Sequence, residues 1–312
     1  MKIHPAALPQ YPNVSVTTVD LPDFNKAGVQ LDLLRLDLVH PLISGNKWFK
    51  LKYAVEAVLA SGCHRVLSFG GAWSNHIHAL AFAGYEQGIE TIGVIRGERP
   101  AQLSQTLIDA AGWGMKLEFV SRAEYRNKND QQFVARMHDK YGDFHYLPEG
   151  GSGEWVVAGC REILSLFNAA DYHLICCACG TGGTLAGLIA DKPKGVELLG
   201  VSALKGGAFL YEDIRGLLAQ ACVSDPGGWS LALDCHEGGY ARVSVELALA
   251  MKYFAECSGV RLEPVYSGKA FLALQRKLMR GELLPGTRVM LIHTGGMQGL
   301  RGMEGLLNKK LL

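Results

Sequence analysis

The chain has 312 residues, of which 48% are hydrophobic and 20% charged, and its formal net charge is +1. That balance fits a soluble globular protein of about two domains, leaves no case for disorder, and recommends neither nucleic acid nor a strongly acidic surface as partner. No apolar run approaches the ~20 residues of a membrane span, and Met1-Lys2-Ile3-His4-Pro5 has no apolar signal segment behind it, so no membrane contact is expected and the expected compartment is the cytoplasm.

Taken in order, residues 1–30 are rich in Pro and short polar turns, with a strand expected at Val14–Val19 and another at Val29–Leu36. A helix follows from Lys47 to about Ala60, stopped by Ser61-Gly62. Short apolar runs bounded by Gly then alternate with helical patterns. Strands are expected at Arg65–Phe69, Thr91–Ile95, Lys116–Val120 and Phe144–Leu147, and helices at Ser74 to Gln87, Gln102–Ala111 and Asp130–Tyr141. Pro148-Glu149-Gly150-Gly151-Ser152-Gly153 breaks the rhythm. It resumes with helix Trp155–Phe167, strand Tyr172–Ala178, a short helix from Leu185, strand Glu197–Val201, helix Leu210–Gln220 and strand Trp229–Leu233. Helices Val243–Cys257 and Lys269–Arg280 and strand Arg288–Ile292 complete the set. Such alternation is the signature of a doubly wound α/β fold with a parallel sheet. Since it never lapses into a long polar linker, a second domain is expected to be inserted in the first.

The eight cysteines are expected to be thiols. Cys176 and Cys179 have C-x-x-C spacing, but no second pair completes four zinc ligands, and the run Leu174 to Ala178 reads as a buried strand; no metal is expected.

Four short stretches are candidates for chemistry. Gly45 and Asn46 make a turn that places Lys47 at the mouth of a helix, where partial positive charge and unpaired N–H groups disfavour a cation. A lysine pushed toward its neutral form suits a Schiff base, whereas Lys50 and Lys52 read as solvated, although Lys50, one turn along the same face, is the competing candidate. Gly180-Thr181-Gly182-Gly183-Thr184 follows a strand and opens a helix, so its amides and hydroxyls can converge on an anion. The lysine of a nucleotide P-loop is missing there, and Leu185 stands where a dinucleotide fingerprint needs its third glycine, which leaves a phosphate monoester. Ser74-Asn75-His76 begins another helix and suits a carboxylate, although capping alone would explain its Ser. His293-Thr294-Gly295-Gly296 ends the last strand, at the edge where open sheets bind ligands. An aldehyde, a phosphate and a carboxylate-bearing substrate together describe pyridoxal phosphate and an amino acid.

These stretches, with Pro148-Glu149-Gly150-Gly151-Ser152 and Pro264-Val265-Tyr266-Ser267-Gly268-Lys269, stand in the order seen in D-cysteine desulfhydrases and 1-aminocyclopropane-1-carboxylate deaminases, which the chain resembles over nearly its whole length. The resemblance implies the tryptophan synthase β-like fold (fold type II), with residues 53–160 as a small domain inserted in a large one made of 1–52 and 161–312, usually as a homodimer. It implies Lys47 as the Schiff-base lysine, Asn75 as the partner of the cofactor's ring hydroxyl, Gly180, Thr181, Gly182, Gly183 and Thr184 as its phosphate cup, and Thr294 as the hydroxyl at its pyridine nitrogen. Ser74, Asn75 and His76 match the carboxylate-binding turn, and Tyr240 and Tyr266 the two active-site tyrosines. Ala241 replaces a usual Gly, and Trp48-Phe49 a usual small residue and Arg.

The two branches differ in reaction. Cyclopropane opening has no leaving group at the β-carbon and needs a strong electron sink; the deaminase branch has Glu where Ser267 stands and Leu at Thr294. The two hydroxyls therefore resemble the desulfhydrase branch, and the expectation is a lyase that eliminates a β-substituent from a D-amino acid, with D-cysteine giving pyruvate, sulfide and ammonia. The alternatives are the cyclopropane deaminase, which gives 2-oxobutanoate and ammonia, and a phosphate-ligand sensor without chemistry.

Overall fold

The structure is a computed structural model that describes residues 14–311, so the reading of Met1 to Pro5 lies outside the described residues. Strands β1 (Val16–Val19) and β2 (Gln30–Arg35) flank a short helix, α1 (Pro22–Lys26), and helix α2 (Asn46–Ala60) follows. Next come β3 (Arg65–Gly70), α3 (Asn75–Gln87), β4 (Glu90–Arg96), α4 (Gln105–Gly112), β5 (Lys116–Val120), α5 (Arg122–Arg126), α6 (Gln131–Tyr141) and β6 (His145–Tyr146). Helix α7 (Glu154–Arg161) leads to β7 (Leu174–Cys179), α8 (Gly183–Ala190), β8 (Glu197–Ser202), α9 (Leu210–Gln220) and β9 (Trp229–Ala232). The chain closes with α10 (Val245–Ser258), α11 (Ser267–Met279), β10 (Arg288–His293), α12 (Met297–Leu300) and α13 (Glu304–Leu311).

Two sheets result. The larger has the order β1-β2-β10-β7-β8-β9 and the smaller β5-β4-β3-β6. All pairings are parallel except β1 with β2. In the larger sheet the winding reverses between β7 and β10, so the loops after these strands flank a crevice. Both strands are buried along nearly their whole length, as central strands covered on two faces must be. The C-x-x-C run is part of β7, and all eight cysteines are free. Among the described residues no helix is long and apolar enough to cross a membrane.

The expected boundaries at 52/53 and 160/161 fall within α2 and α7, continuous helices that pack on each other and on α8. Helix α2 buries Trp48, Phe49, Leu51, Ala54, Val55 and Val58, and each large side chain so buried contributes about 1.5–3 kcal/mol. Elsewhere the structure departs from the sequence reading in detail. The helix expected over Trp155–Phe167 is α-helical only to Arg161 and continues as a tighter 3-10 turn, Glu162–Leu166, where the Glu162 carboxylate reaches back to Lys52 (2.9 Å) and Tyr53. Helix α8 starts at Gly183 instead of Leu185, because the left-handed Gly182 turns the chain directly into it. Helices α1, α5, α12 and α13 were not expected.

Candidate active site

Helix α2 begins on the loop that follows β10. The Asn46 N–H donates to the Thr294 carbonyl at 3.1 Å, and a Cβ on Gly45, whose φ is +69°, would lie 1.9 Å from that oxygen. Only glycine permits this approach. It fixes Lys47 between the loops after β7 and β10. The Asn46 side chain donates to Thr184 Oγ1 at 2.8 Å, while Lys47 Nζ donates to Asn46 Oδ1 at 3.4 Å, so one amide ties the lysine to the Gly-rich loop. Burial, followed by the charge of Lys50, holds the half-buried Lys47 amine well below its ordinary value; Cys160 and Glu263 oppose the shift. The lowered basicity expected at a helix mouth is present, and its main cause is lost solvation.

Lys50 is corrected by the structure. It is buried, not solvated, with 3% of its surface exposed, and its Nζ donates to Thr181 Oγ1 at 3.4 Å. One helical turn from Lys47, it lies on the same face of α2. A Cβ on Gly183 would stand 2.6 Å from Val156 and 3.3 Å from Lys50 Nζ, so the glycine lets the loop backbone pack closely against both. Thr181 also accepts from Ser152 Oγ at 2.7 Å, which draws the stretch from Pro148 to Gly153 onto the loop. Lys52, also read as solvated, pairs with Glu162.

Ser74 caps α3 by accepting from the Ile77 N–H at 3.3 Å. Asn75 accepts from Gln298 and lies against Gly296, where a Cβ would come 2.7 Å from its Nδ2; the start of α3 thus touches the start of α12. His76 is buried, with Nε2 2.7 Å from Ser68 Oγ and Nδ1 without a partner among the described residues. Burial, then Lys47 and Lys50, keep this imidazole well below its usual value, hence neutral. A Cβ on Gly151 would be 3.3 Å from its ring, so His76 lies against the stretch that Ser152 ties to the Gly-rich loop.

The rings of Tyr240 and Tyr266 are 6.1 Å apart, edge to face. Burial raises both phenols, Tyr266 well above its usual value with Tyr240 adding to the shift, so both are protonated donors at neutral pH. The loop of Tyr240 is held by Lys269, whose buried Nζ donates to the Gly239 carbonyl at 2.8 Å. Thr294 is buried, and its hydroxyl makes no hydrogen bond among the described residues. Ser267 does not offer a free hydroxyl: its Oγ donates to Glu263 Oε1 at 3.2 Å, and the same carboxylate accepts from the N–H groups of Val265, Tyr266 and Ser267.

Sequence reasoning missed Ser68 and Glu263, which carried no signal, and gave Asn46 and Ser152 no role of their own within their motifs; Lys50 stood only as the competing candidate for the cofactor lysine, one turn from Lys47.

The fold and the site define a class: an enzyme of the tryptophan synthase β-like kind, with a poorly basic amine tied to a Gly-rich loop. The chain belongs to the pyridoxal-phosphate dependent enzyme family, whose model matches residues 14–295. It is 30% identical over 290 residues, 88% of this chain and 91% of the relative, to a putative 1-aminocyclopropane-1-carboxylate deaminase of Thermotoga maritima. A bifunctional D-cysteine desulfhydrase/1-aminocyclopropane-1-carboxylate deaminase of Arabidopsis thaliana is 28% identical, over 88% of this chain and 74% of the relative. A crystal structure of a 1-aminocyclopropane-1-carboxylate deaminase homologue superposes with a TM-score of 0.83 at 24% identity, covering 99% of this chain and 100% of the other. Pyridoxal phosphate is therefore the cofactor. The residues present fit it: a buried lysine, Lys50, reaches the Gly-rich loop at Thr181, and His76 Nδ1 is buried without a partner among the described residues, features that a folded chain leaves without a ligand only at a cost.

Proposed function

We propose that the protein is a lyase that eliminates a β-substituent from a D-amino acid, with D-cysteine giving pyruvate, sulfide and ammonia. The observation that carries this reading is the poorly basic Lys47 amine, tied through Asn46 to Thr184 of the phosphate loop. When bound, pyridoxal phosphate supplies a carbonyl for an amine and a π system that accepts the electron pair left at Cα.

The chain's own residues do the rest. The amides of Gly180 to Thr184 and the Lys50 cation would hold the phosphate, Asn75 the ring hydroxyl and Thr294 the pyridine nitrogen. Ser74, Asn75 and His76, with the free amides at the start of α3, take the substrate carboxylate. Lys47, once its amine is released, removes the Cα proton. The Cβ–S bond then breaks, the sulfur leaves with the bonding pair, and Tyr240 or Tyr266 protonates it. The unsaturated amine left behind hydrolyses to pyruvate and ammonia.

Elimination is favoured over ring opening because no carboxylate follows Tyr266, and Glu263, the nearby buried acid, is engaged by three backbone N–H groups and Ser267. A departing thiolate relieves the charge at Cα, so a weaker sink suffices. The names of the relatives favour the deaminase as second reading. The separate sheet formed by β3 to β6 supports a small domain at 53–160 within a large one of 1–52 and 161–312, and the free cysteines support a reducing compartment such as the cytoplasm.

One panel tests the reaction: pyruvate from D-cysteine, L-cysteine and D-serine, against 2-oxobutanoate from 1-aminocyclopropane-1-carboxylate. Pyruvate from D-cysteine is expected. Efficient release of 2-oxobutanoate would overturn the reading.

A further inference from the structure

At one edge of the smaller sheet, β3, β4 and β5 end together. The parallel registers Gly70↔Ile95 and Arg96↔Val120 set the turn before Ser74, the last residue of β4 and the start of α5 side by side. This is the carboxyl edge, where parallel sheets take ligands. An open cleft of about 600 Å³ lies there, lined among others by Ala72, Arg96, Glu98, Phe119 and Arg122.

The arginines are poised without anionic partners among the described residues. Arg96, Arg99 and Arg122 are exposed, and none forms an ion pair or side-chain hydrogen bond among the described residues. Arg96 stands over the ring of Tyr125 at 5.8 Å and Arg99 over Phe119 at 5.3 Å, which orders their guanidinium groups. Glu98 is the one carboxylate among the lining residues, so Arg96 and Arg122 leave the cleft positive. The cleft also borders the turn that leads to Ser74. A Cβ on Gly71 would lie 3.8 Å from Arg96 Nη2, and the Arg96 charge draws down the Tyr240 hydroxyl from across the site, against the effect of burial.

We propose that this cleft is the subsite for the substrate's β-substituent, and that it takes a substituent with its own negative charge, such as a sulfate ester, a phosphate ester or an acidic thiol conjugate. The proposal rests on the elimination reading above. A bare thiol would leave most of the cleft unfilled and both guanidinium groups without a partner. In the step itself, Cα loses its proton to Lys47 and the bond from Cβ to the substituent breaks. The substituent departs with the bonding pair as an anion held by Arg96 and Arg122. Water then converts the unsaturated amine to pyruvate and ammonia, and no oxidant or reductant takes part.

D-serine O-sulfate and 3-chloro-D-alanine have a charged and an uncharged β-substituent, and both give pyruvate. In the wild-type holoenzyme the ester is expected to have the higher kcat/KM. In R96Q/R122Q the ratio of the ester's kcat/KM to that of the chloride is expected to fall at least about tenfold, the lower end for a charge-assisted hydrogen bond in a partly solvated cleft. An unchanged ratio would overturn the proposal. A second measurement needs no turnover: calorimetric titration of inorganic sulfate into the cofactor-loaded protein, whose phosphate cup is then filled. Binding that is lost in R96Q/R122Q supports the subsite, and equal binding, or none to the wild type, rejects it. If the wild type releases pyruvate from neither substrate, the elimination reading falls, and the titration still decides whether the cleft binds anions.

Discussion

His76 Nε2 and Ser68 Oγ lie 2.7 Å apart, with both side chains buried, and this contact leaves His76 Nδ1 as the one ring nitrogen open to a ligand. The neighbouring Lys47 and Lys50 keep the imidazole neutral by adding their charge to the effect of burial.

A pH dependence follows with a definite sign. The folded-state pKa of His76 is depressed, so its contribution to stability is present above the unfolded value of about 6.5 and is lost as pH falls toward the folded value. Below about pH 6.5 the wild type should lose up to about 1.4 kcal/mol per pH unit through this group. Denaturant unfolding between pH 7 and 5 should show this slope in the wild type and a shallower one in His76→Gln. Equal slopes would mean that His76 is protonated in the folded protein.

Tyr266 touches the Gly-rich loop: a Cβ on Gly180 would lie 3.1 Å from its ring. Tyr266→Phe keeps that packing and removes the hydroxyl. Turnover should fall about 10²-fold or more, as for loss of a general acid, while cofactor affinity changes by less than about threefold. Pyruvate kinetics and cofactor titration separate the two effects, and an unchanged rate would remove Tyr266 from the mechanism.

Gly45 is a backbone test. Alanine there meets both a positive φ and the Thr294 carbonyl, so Gly45→Ala should cost about 2–4 kcal/mol or displace the loop after β10. Chemical denaturation measures the loss, and wild-type stability with intact cofactor binding would show that the contact is not tight in solution.

Much of this was legible in the sequence, for reasons specific to each element. The runs that became β3, β4, β7 and β10 are apolar over most of their length because both their faces are covered, and Gly lies at or near their ends. Helix α5 was legible but overlooked: Ser121 and Glu124 form a capping box. Lys50 was misread because a hydrophobic stripe sorts a helix into inner and outer faces and assigns every lysine to the outer one. Here the cation lies inward, beside Thr181, which is 131 residues away in sequence. Glu263 gave no warning, since a carboxylate that caps the start of α11 looks in sequence like any loop acid.

The most direct measurement concerns Lys47 and Lys50, which share a face of α2 but are assigned different work. The cofactor-loaded protein is reduced with borohydride and digested, and fragment-ion mass spectrometry locates the added mass. The label should be on Lys47. Lys47→Ala should be colourless and unlabelled, whereas Lys50→Met should still be labelled at Lys47, with cofactor affinity lowered about 10- to 100-fold by loss of a charged phosphate contact. Label on Lys50, or a Lys47→Ala protein that keeps its colour and turnover, would contradict the assignment.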